Sequence, residues 1–236
     1  PSSVDMKLLA AASAHIGIHL ENAGLFEDMN TMFLGMLEAI TASIDAKDRY
    51  TCGHSRRVAL LTRQLAEAIG LDAAVIKRMH IAGLVHDVGK IGVRESVLCK
   101  GGQLTDQEYL EVQRHPEIGW NILRDIPDFD DILDGVRHHH ERWDGGGYPA
   151  GLAAEDIPLT ARLISLADAF DAMCSTRTYR AAMCRDKVLA EIQQGAGTQF
   201  DPALVDAFIG LDFSEWGQLM LDHQGTESSH DMEDAA

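Results

Sequence analysis

The chain has 236 residues, with 37 Asp and Glu against 20 Lys and Arg, a formal net charge of −17 and 46 % apolar residues. That composition fits one large globular domain, or one domain plus a fragment of another. It argues against nucleic acid as a partner, because coating phosphates needs clustered Lys and Arg, and no uninterrupted run of about 18 apolar residues offers a membrane span.

The N-terminal stretch "PSSVDMKLLAAASAHIGIHL" has neither the basic region nor the cleavage site of a secretory signal, so a cytoplasmic chain is expected. From about Leu8 to Ile44 apolar residues recur at helical spacing, through Leu9, Ala12, Ile16, Leu20, Leu25, Met29, Met32, Phe33, Met36, Leu37 and Ile40. A helix of that length cannot bury its own apolar face, so pairing with a second copy in a homodimer is expected. The plainer alternative is that it packs on the domain that follows.

Beyond Asp48 the pattern predicts helices over residues 55–69, 73–85, 105–113, 116–125, 129–138, 160–173, 186–194 and 202–209. Asp72, Thr105 with Glu108 behind it, and Asp201 before Pro202 read as N-terminal caps. Strand signals are scarce, so the fold class is all-α, with a Gly-rich turn or small hairpin at 144–151. Residues 224–236 are polar and acidic and read as disordered. Cys52, Cys99, Cys174 and Cys184 form no CxxC pair and read as buried small apolar residues, not as a disulfide framework or a thiolate zinc site.

In "LVHDVGKIGV", His86 and Asp87 end an apolar helical run, with Gly89 and Gly92 just beyond. An apolar helix that ends in imidazole and carboxylate delivers both to one buried point, which is costly unless they coordinate a cation. A helix C-terminus in which His86 merely favours the dipole explains the dipeptide equally well. His54, His115, His139, His140 and Asp168 change the balance, since each stands at a predicted helix end or on an apolar helix face. Together the seven residues are enough for two divalent ions sharing a carboxylate, as two-metal phosphoryl transfer requires.

"GHSRRVA", "HDVGKIGV", "LTDQEYLEVQRHPEIGWNIL", "HHERWDGGGYPAGL" and "ADAFDAMCSTRTYR", in that order, resemble the HD-GYP family of the HD phosphohydrolase superfamily. The resemblance spans about Thr41 to Val205 and implies an HD-type helical bundle with a C-terminal helical extension, a GYP loop and a preceding linker helix. It implies a metal-dependent phosphodiesterase that opens cyclic di-GMP to linear pGpG, in some relatives on to GMP. Hybrid cyclic GMP-AMP is the alternative substrate. "LLAAASAHIGIHLENAGLFEDMN" resembles the closing helix of a GAF sensor domain, which implies such a domain upstream in a longer protein. The domains then read as 1–40, sensor end and dimerisation helix; 41–215, catalytic domain; and 216–236, acidic tail.

Carried over residue by residue, the resemblance assigns His54, His86, Asp87 and Asp168 to one metal, with Asp87 bridging to a second held by His115, His139 and His140. His138 matches no ligand. The ions would be iron or manganese, with nickel, zinc, cobalt or magnesium as alternatives. Relatives with a third metal carry Glu where this chain has Tyr50, a poor ligand at neutral pH, so a binuclear site is expected; Asp48 is the nearest substitute. Lys90 is assigned to a phosphate oxygen and the leaving group, and Arg177 and Arg180 to the second phosphate or a guanine. Asp171 is read as an acid behind the ligands. Tyr148 and Pro149 are expected to wall the substrate.

Two rival readings remain at this stage. A broader nucleotide phosphohydrolase leaves the "HHERWDGGGYP" segment unexplained, and a weakly catalytic cyclic-dinucleotide receptor sits poorly with an intact ligand set.

Overall fold

The computed structural model describes residues 3–47, 52–175 and 182–222. Tyr50, Asp48, Arg177 and Arg180 lie outside these described residues.

The chain divides into two units between Ala39 and Ile40. The first is a single helical segment, the greater part of α1 (Ser3–Asp45). Its predicted apolar stripe is out in solvent: Leu9, Ile16, Leu20 and Met29 are all more than half exposed.

The second unit opens with the last turns of α1 and continues through α2 (His54–Ala68), α3 (Ala73–Val85) and a 3-10 turn (Val88–Gly92). Then follow α4 (Glu95–Leu98), α5 (Asp106–Val112), α6 (His115–Leu123) and α7 (Asp130–His138). After a second 3-10 turn (Ala154–Asp156) come α8 (Leu159–Cys174), α9 (Arg185–Gln194) and α10 (Pro202–Ile209). No strand forms among the described residues, and of the two forms expected at 144–151, turn or small hairpin, the segment takes the turn.

Helix boundaries follow the local signals closely. Thr105 forms the capping box with Glu108, and the Asp201 side chain accepts the Ala203 N–H beside Pro202 at the first turn. Asp72 occupies the N-cap position of α3 but makes no side-chain cap bond.

The core lies where α2 packs on α3 and α8, and α7 closes against α3, α6 and α8. Val58, Leu61 and Leu65 of α2 and Leu163, Ile164 and Phe170 of α8 are all fully buried where these two helices pack. Large-to-small changes there cost about 2–5 kcal/mol each.

At the C-terminal end the structure corrects the sequence reading. Residues 214–222 are helical, not an acidic tail, and Trp216 is 8 % exposed, packed with Phe213 against Phe170. Aromatic burial of that size outweighs the polarity of the surrounding residues.

Candidate metal centre

Five helix ends and one helix face point their polar residues at a single buried volume. His54 is the first residue of α2, His86 caps the end of α3, His115 opens α6 and His139 caps the end of α7. Asp87 starts the 3-10 turn, and Asp168 projects from the middle of α8. His54, His86, His115 and His139 are each at most 2 % exposed, and Asp87 is 5 % exposed.

Two clusters result, His54–His86–Asp87 and His115–His139–His140, each with ligand atoms within 4.8 Å of one another. Asp87 joins them. Its Oδ2 lies 3.2 Å from His86 Nε2 and 3.7 Å from His54 Nε2, while its Oδ1 lies 3.2 Å from His115 Nε2. Asp168 Oδ1 stands 3.2 Å from His54 Nε2 on the first cluster.

The tautomers show that these groups fit cations. His86 Nδ1 donates to Gly83 O at 2.7 Å, His115 Nδ1 to Val112 O at 2.7 Å and His139 Nδ1 to Val136 O at 2.8 Å. A carbonyl only accepts, so each Nδ1 carries a proton, and in the neutral ring that binds a metal Nε2 is the lone pair. In that form the Nε2 atoms of His115 and His139 face each other as two acceptors 3.2 Å apart. His86 Nε2 is buried with no hydrogen-bond partner. Stranded acceptors of this kind are expensive unless a cation takes the lone pairs.

Electrostatics prepare the same site. Burial opposes the charge on Asp87, but Lys90, whose Nζ is 2.6 Å away, together with His86 and His115 holds the carboxyl well below the usual range. Burial likewise opposes the charge on Asp168, and the hydrogen bond from His54 lowers its carboxyl far below normal. Burial and the neighbouring His115 push His140 down to about 3; burial and His140 push His139 well below normal. Both imidazoles are thus neutral and ready to ligate. Burial alone would lower His54, yet Asp168 and Asp171 outweigh it and raise the imidazole to about 10, so a metal there displaces a proton.

Asp171 proves to be a positioning residue and not a wall of the cleft. It is fully buried behind His54, whose Nδ1 donates to its Oδ2 at 2.7 Å. Arg57 donates to both oxygens, at 2.7 and 2.9 Å, and Trp216 Nε1 donates to Oδ1 at 2.8 Å. Arg57 and Trp216 were missed from sequence. Arg57 had a signal, a cation one turn after His54 on an apolar helix face, but Trp216 lies 45 residues from its partner. Phenylalanine at Trp216 keeps the packing and removes the N–H. Trp216→Phe should weaken metal binding about tenfold, as loss of a partner behind a ligand does, with little change in melting temperature; unaltered affinity in calorimetric titration with manganese would contradict this.

Asp45, also missed, supplies the cap that α2 lacks. Gly53 offers no side chain, and Asp45 accepts the Ser55 N–H at 3.0 Å and the Ser55 hydroxyl at 2.7 Å. Burial raises its pKa. The end of α1 is thereby tied to the residue next to His54.

A cavity of about 360 Å³ opens over the clusters, within the range of small-ligand sites. Asp87, Lys90, His115, His139, His140, Tyr148 and Asp168 line it. Tyr148 thus stands where the sequence placed it, stacked on His140 with ring centroids 4.8 Å apart. Pro149 follows it through a cis peptide bond and is not among the described residues lining the cavity. His138 faces away from the clusters, its Nδ1 3.4 Å from Glu141 Oε1.

Comparisons with known proteins agree with this geometry. A sequence profile of the HD domain matches residues 38–204. A "Cyclic di-GMP phosphodiesterase" of Vibrio cholerae is 38 % identical over 74 % of this chain and 38 % of its own length. A "3'3'-cGAMP-specific phosphodiesterase 2" of the same organism is 33 % identical over 88 % of this chain and 40 % of its own. The response regulator RpfG of Xanthomonas campestris, named a cyclic di-GMP phosphodiesterase, is 39 % identical over 73 % of this chain and 46 % of its own. The chain spans less than half the length of these three relatives. Among solved structures, the cyclic GMP-AMP specific phosphodiesterase V-cGAP3 of V. cholerae superposes with a TM-score of 0.58 at 20 % identity, over 73 % of this chain and 47 % of that one. The Bdellovibrio bacteriovorus HDG"Y"P protein Bd1817 gives 0.56 at 20 % identity, over 66 % and 50 %. At such identity these two speak for the fold. With the ordered motifs, the helical bundle and the double His–Asp cluster in place, the chain belongs to the HD-domain family, in its HD-GYP branch.

Proposed function

We propose that the chain is a metal-dependent phosphodiesterase that opens cyclic di-GMP to linear pGpG. The observation that carries this is the array of imidazole Nε2 atoms converging on Asp87 beneath a cavity of small-ligand size. His54, His86, Asp87 and Asp168 would hold one divalent ion, and Asp87, His115, His139 and His140 a second. Iron or manganese suits this mixture of imidazole and carboxylate. When bound, the ions supply Lewis acidity and a water of lowered pKa.

The reaction needs water to add at phosphorus while the bond to the ribose 3′ oxygen breaks, leaving the phosphate on the 5′ side. Lys90 borders the cavity beside Asp87 and offers positive charge to the phosphate and to the departing oxygen. Lys90→Ala should lower kcat/KM roughly a hundredfold with metal content intact, the scale of losing one charge-stabilising donor; an unchanged kcat/KM removes that role. Asp171, Arg57 and Trp216 hold His54 in register. Tyr148 offers a ring face to a base, which does not by itself distinguish guanine from adenine.

Some relatives are named for 3'3'-cGAMP, and a preference for the hybrid dinucleotide is the alternative reading. Arg177 and Arg180 are assigned to the second phosphate or a base under either reading. Turnover of cyclic di-GMP and 3'3'-cGAMP by the manganese-loaded protein, with products resolved by chromatography, decides between them. No cleavage of either substrate sinks the proposal.

We further assign the protein to the cytoplasm, downstream of a GAF-like sensor, and as a homodimer through α1. Exposed Leu9, Ile16, Leu20 and Met29 support the dimer, since a second copy of the helix would cover them.

A further inference from the structure

We propose that Glu141 is a positioning residue that latches the 148–152 loop over the cavity and thereby sets substrate affinity. The inference rests on reading the cavity as the substrate site. Glu141 directly follows the ligand pair His139–His140, and its side chain is fully buried. An isolated buried carboxylate is unfavourable, so its partners explain why it is there.

Those partners are the loop's own backbone. Glu141 Oε1 accepts the Ala150 N–H at 2.7 Å, and Oε2 accepts the Leu152 N–H at 3.1 Å. Between them and the ligand pair, the Tyr148 N–H donates to His140 O at 3.2 Å. Three alternate N–H groups of one short loop are therefore fixed to two adjacent residues. No other acceptor is offered to the Ala150 and Leu152 amides among the described hydrogen bonds, so the hold on this part of the loop comes from this one carboxylate.

The closure is tight enough to specify glycine. A Cβ on Gly147 would lie 2.4 Å from Arg142 N, 2.5 Å from Glu141 Cα and 2.6 Å from His140 O. Backbone thus presses on backbone directly before Tyr148. The same closure brings the Tyr148 ring onto His140, 4.8 Å between centroids and 27° between planes, where it lines the cavity. His138 Nδ1 lies 3.4 Å from Oε1, the oxygen that also accepts the Ala150 amide.

Glu141 is not placed to be a ligand or a base. Both oxygens are engaged by loop amides, and neither metal-ligand cluster includes it. Its action on the reaction runs through the position of Tyr148, which predicts an effect on KM more than on kcat.

Hydrogen exchange at the Ala150 and Leu152 amides, resolved by fragmentation mass spectrometry on the manganese-loaded protein, reads the latch without reference to activity. Glu141→Ala should speed exchange at both amides at least a hundredfold. It should raise KM for cyclic di-GMP at least tenfold, with kcat within threefold and bound metal unchanged. Glu141→Gln keeps one acceptor and the shape of the side chain, and should keep protection at one amide with an intermediate KM; it carries the test where the alanine variant fails to fold. Unchanged exchange, or loss of metal alongside substrate affinity, overturns the proposal. A wild-type protein that cleaves no cyclic dinucleotide removes the proposed function, and exchange alone then judges the latch.

Discussion

Asp87→Asn is expected to lose both bound metals and at least about a thousandfold in kcat/KM, the equivalent of several kcal/mol of transition-state charge stabilisation. The substitution preserves shape and removes only charge and one acceptor. Asp87 reaches both clusters, with Oδ2 at 3.2 Å from His86 and Oδ1 at 3.2 Å from His115. It also anchors Lys90 at 2.6 Å. Replacing the carboxylate leaves the surrounding Nε2 lone pairs without the negative charge that makes a divalent ion favourable among neutral imidazoles. Metal analysis of the purified variant checks the first half and turnover the second. Retention of two ions per chain would contradict the bridging role. His138→Ala is the matched control, since its ring faces Glu141 and its loss should leave metal content untouched.

Gly89→Ala is expected to destabilise the protein by about 3 kcal/mol, the upper end of overpacking costs, and to disperse the second cluster. Gly89 sits in the 3-10 turn two residues after Asp87, where α6 packs directly on the turn. A Cβ there would stand 1.9 Å from His115 O and 2.5 Å from Gly119 N, both rigid backbone atoms. The two elements must separate to admit it. Because His115 opens α6 and Asp87 precedes the turn, that separation pulls Asp87 Oδ1 from His115 Nε2. Thermal unfolding and metal titration together measure the effect; an unshifted midpoint would mean that the turn and helix can slide apart freely.

Much of this architecture was legible in the sequence because its signals are local. Periodicity placed α3 at residues 73–85 and α10 at 202–209, matching the structure, and Thr105 with Glu108 marked α5 through a capping box that forms as read. The proposed ligands were legible because all but Asp168 sit at or beside a helix end, and Asp168 on an apolar helix run, where an isolated His or Asp stands out. What stayed hidden depends on closure over distance. Trp216 reaches Asp171 across 45 residues, and Asp45 caps Ser55 across ten, with no pattern in either stretch to announce the partner. Glu141 lay in plain view within "HHERWDGGGYP", yet its role becomes visible only once the loop folds back on it. Residues 216–222 were read as part of the tail for their polarity, whereas burial of Phe213 and Trp216 decides the fold there.

Three residues beyond Asp168 on α8, Asp171 was read from the sequence as an acid behind the ligands that orients one of them or the water. In the folded chain it turns to the back of His54, where four N–H donors make ionisation favourable despite full burial. It shapes the metal site by fixing an imidazole, not by meeting substrate.

The central claim is that five imidazoles and two carboxylates hold two divalent ions. Elemental analysis of protein saturated with manganese and freed of excess metal tests it most directly. The account predicts two ions per chain, falling to one or none when His139 or His140 is replaced by alanine. Fewer than two ions in the intact protein, or a third ion that survives these replacements, would contradict it.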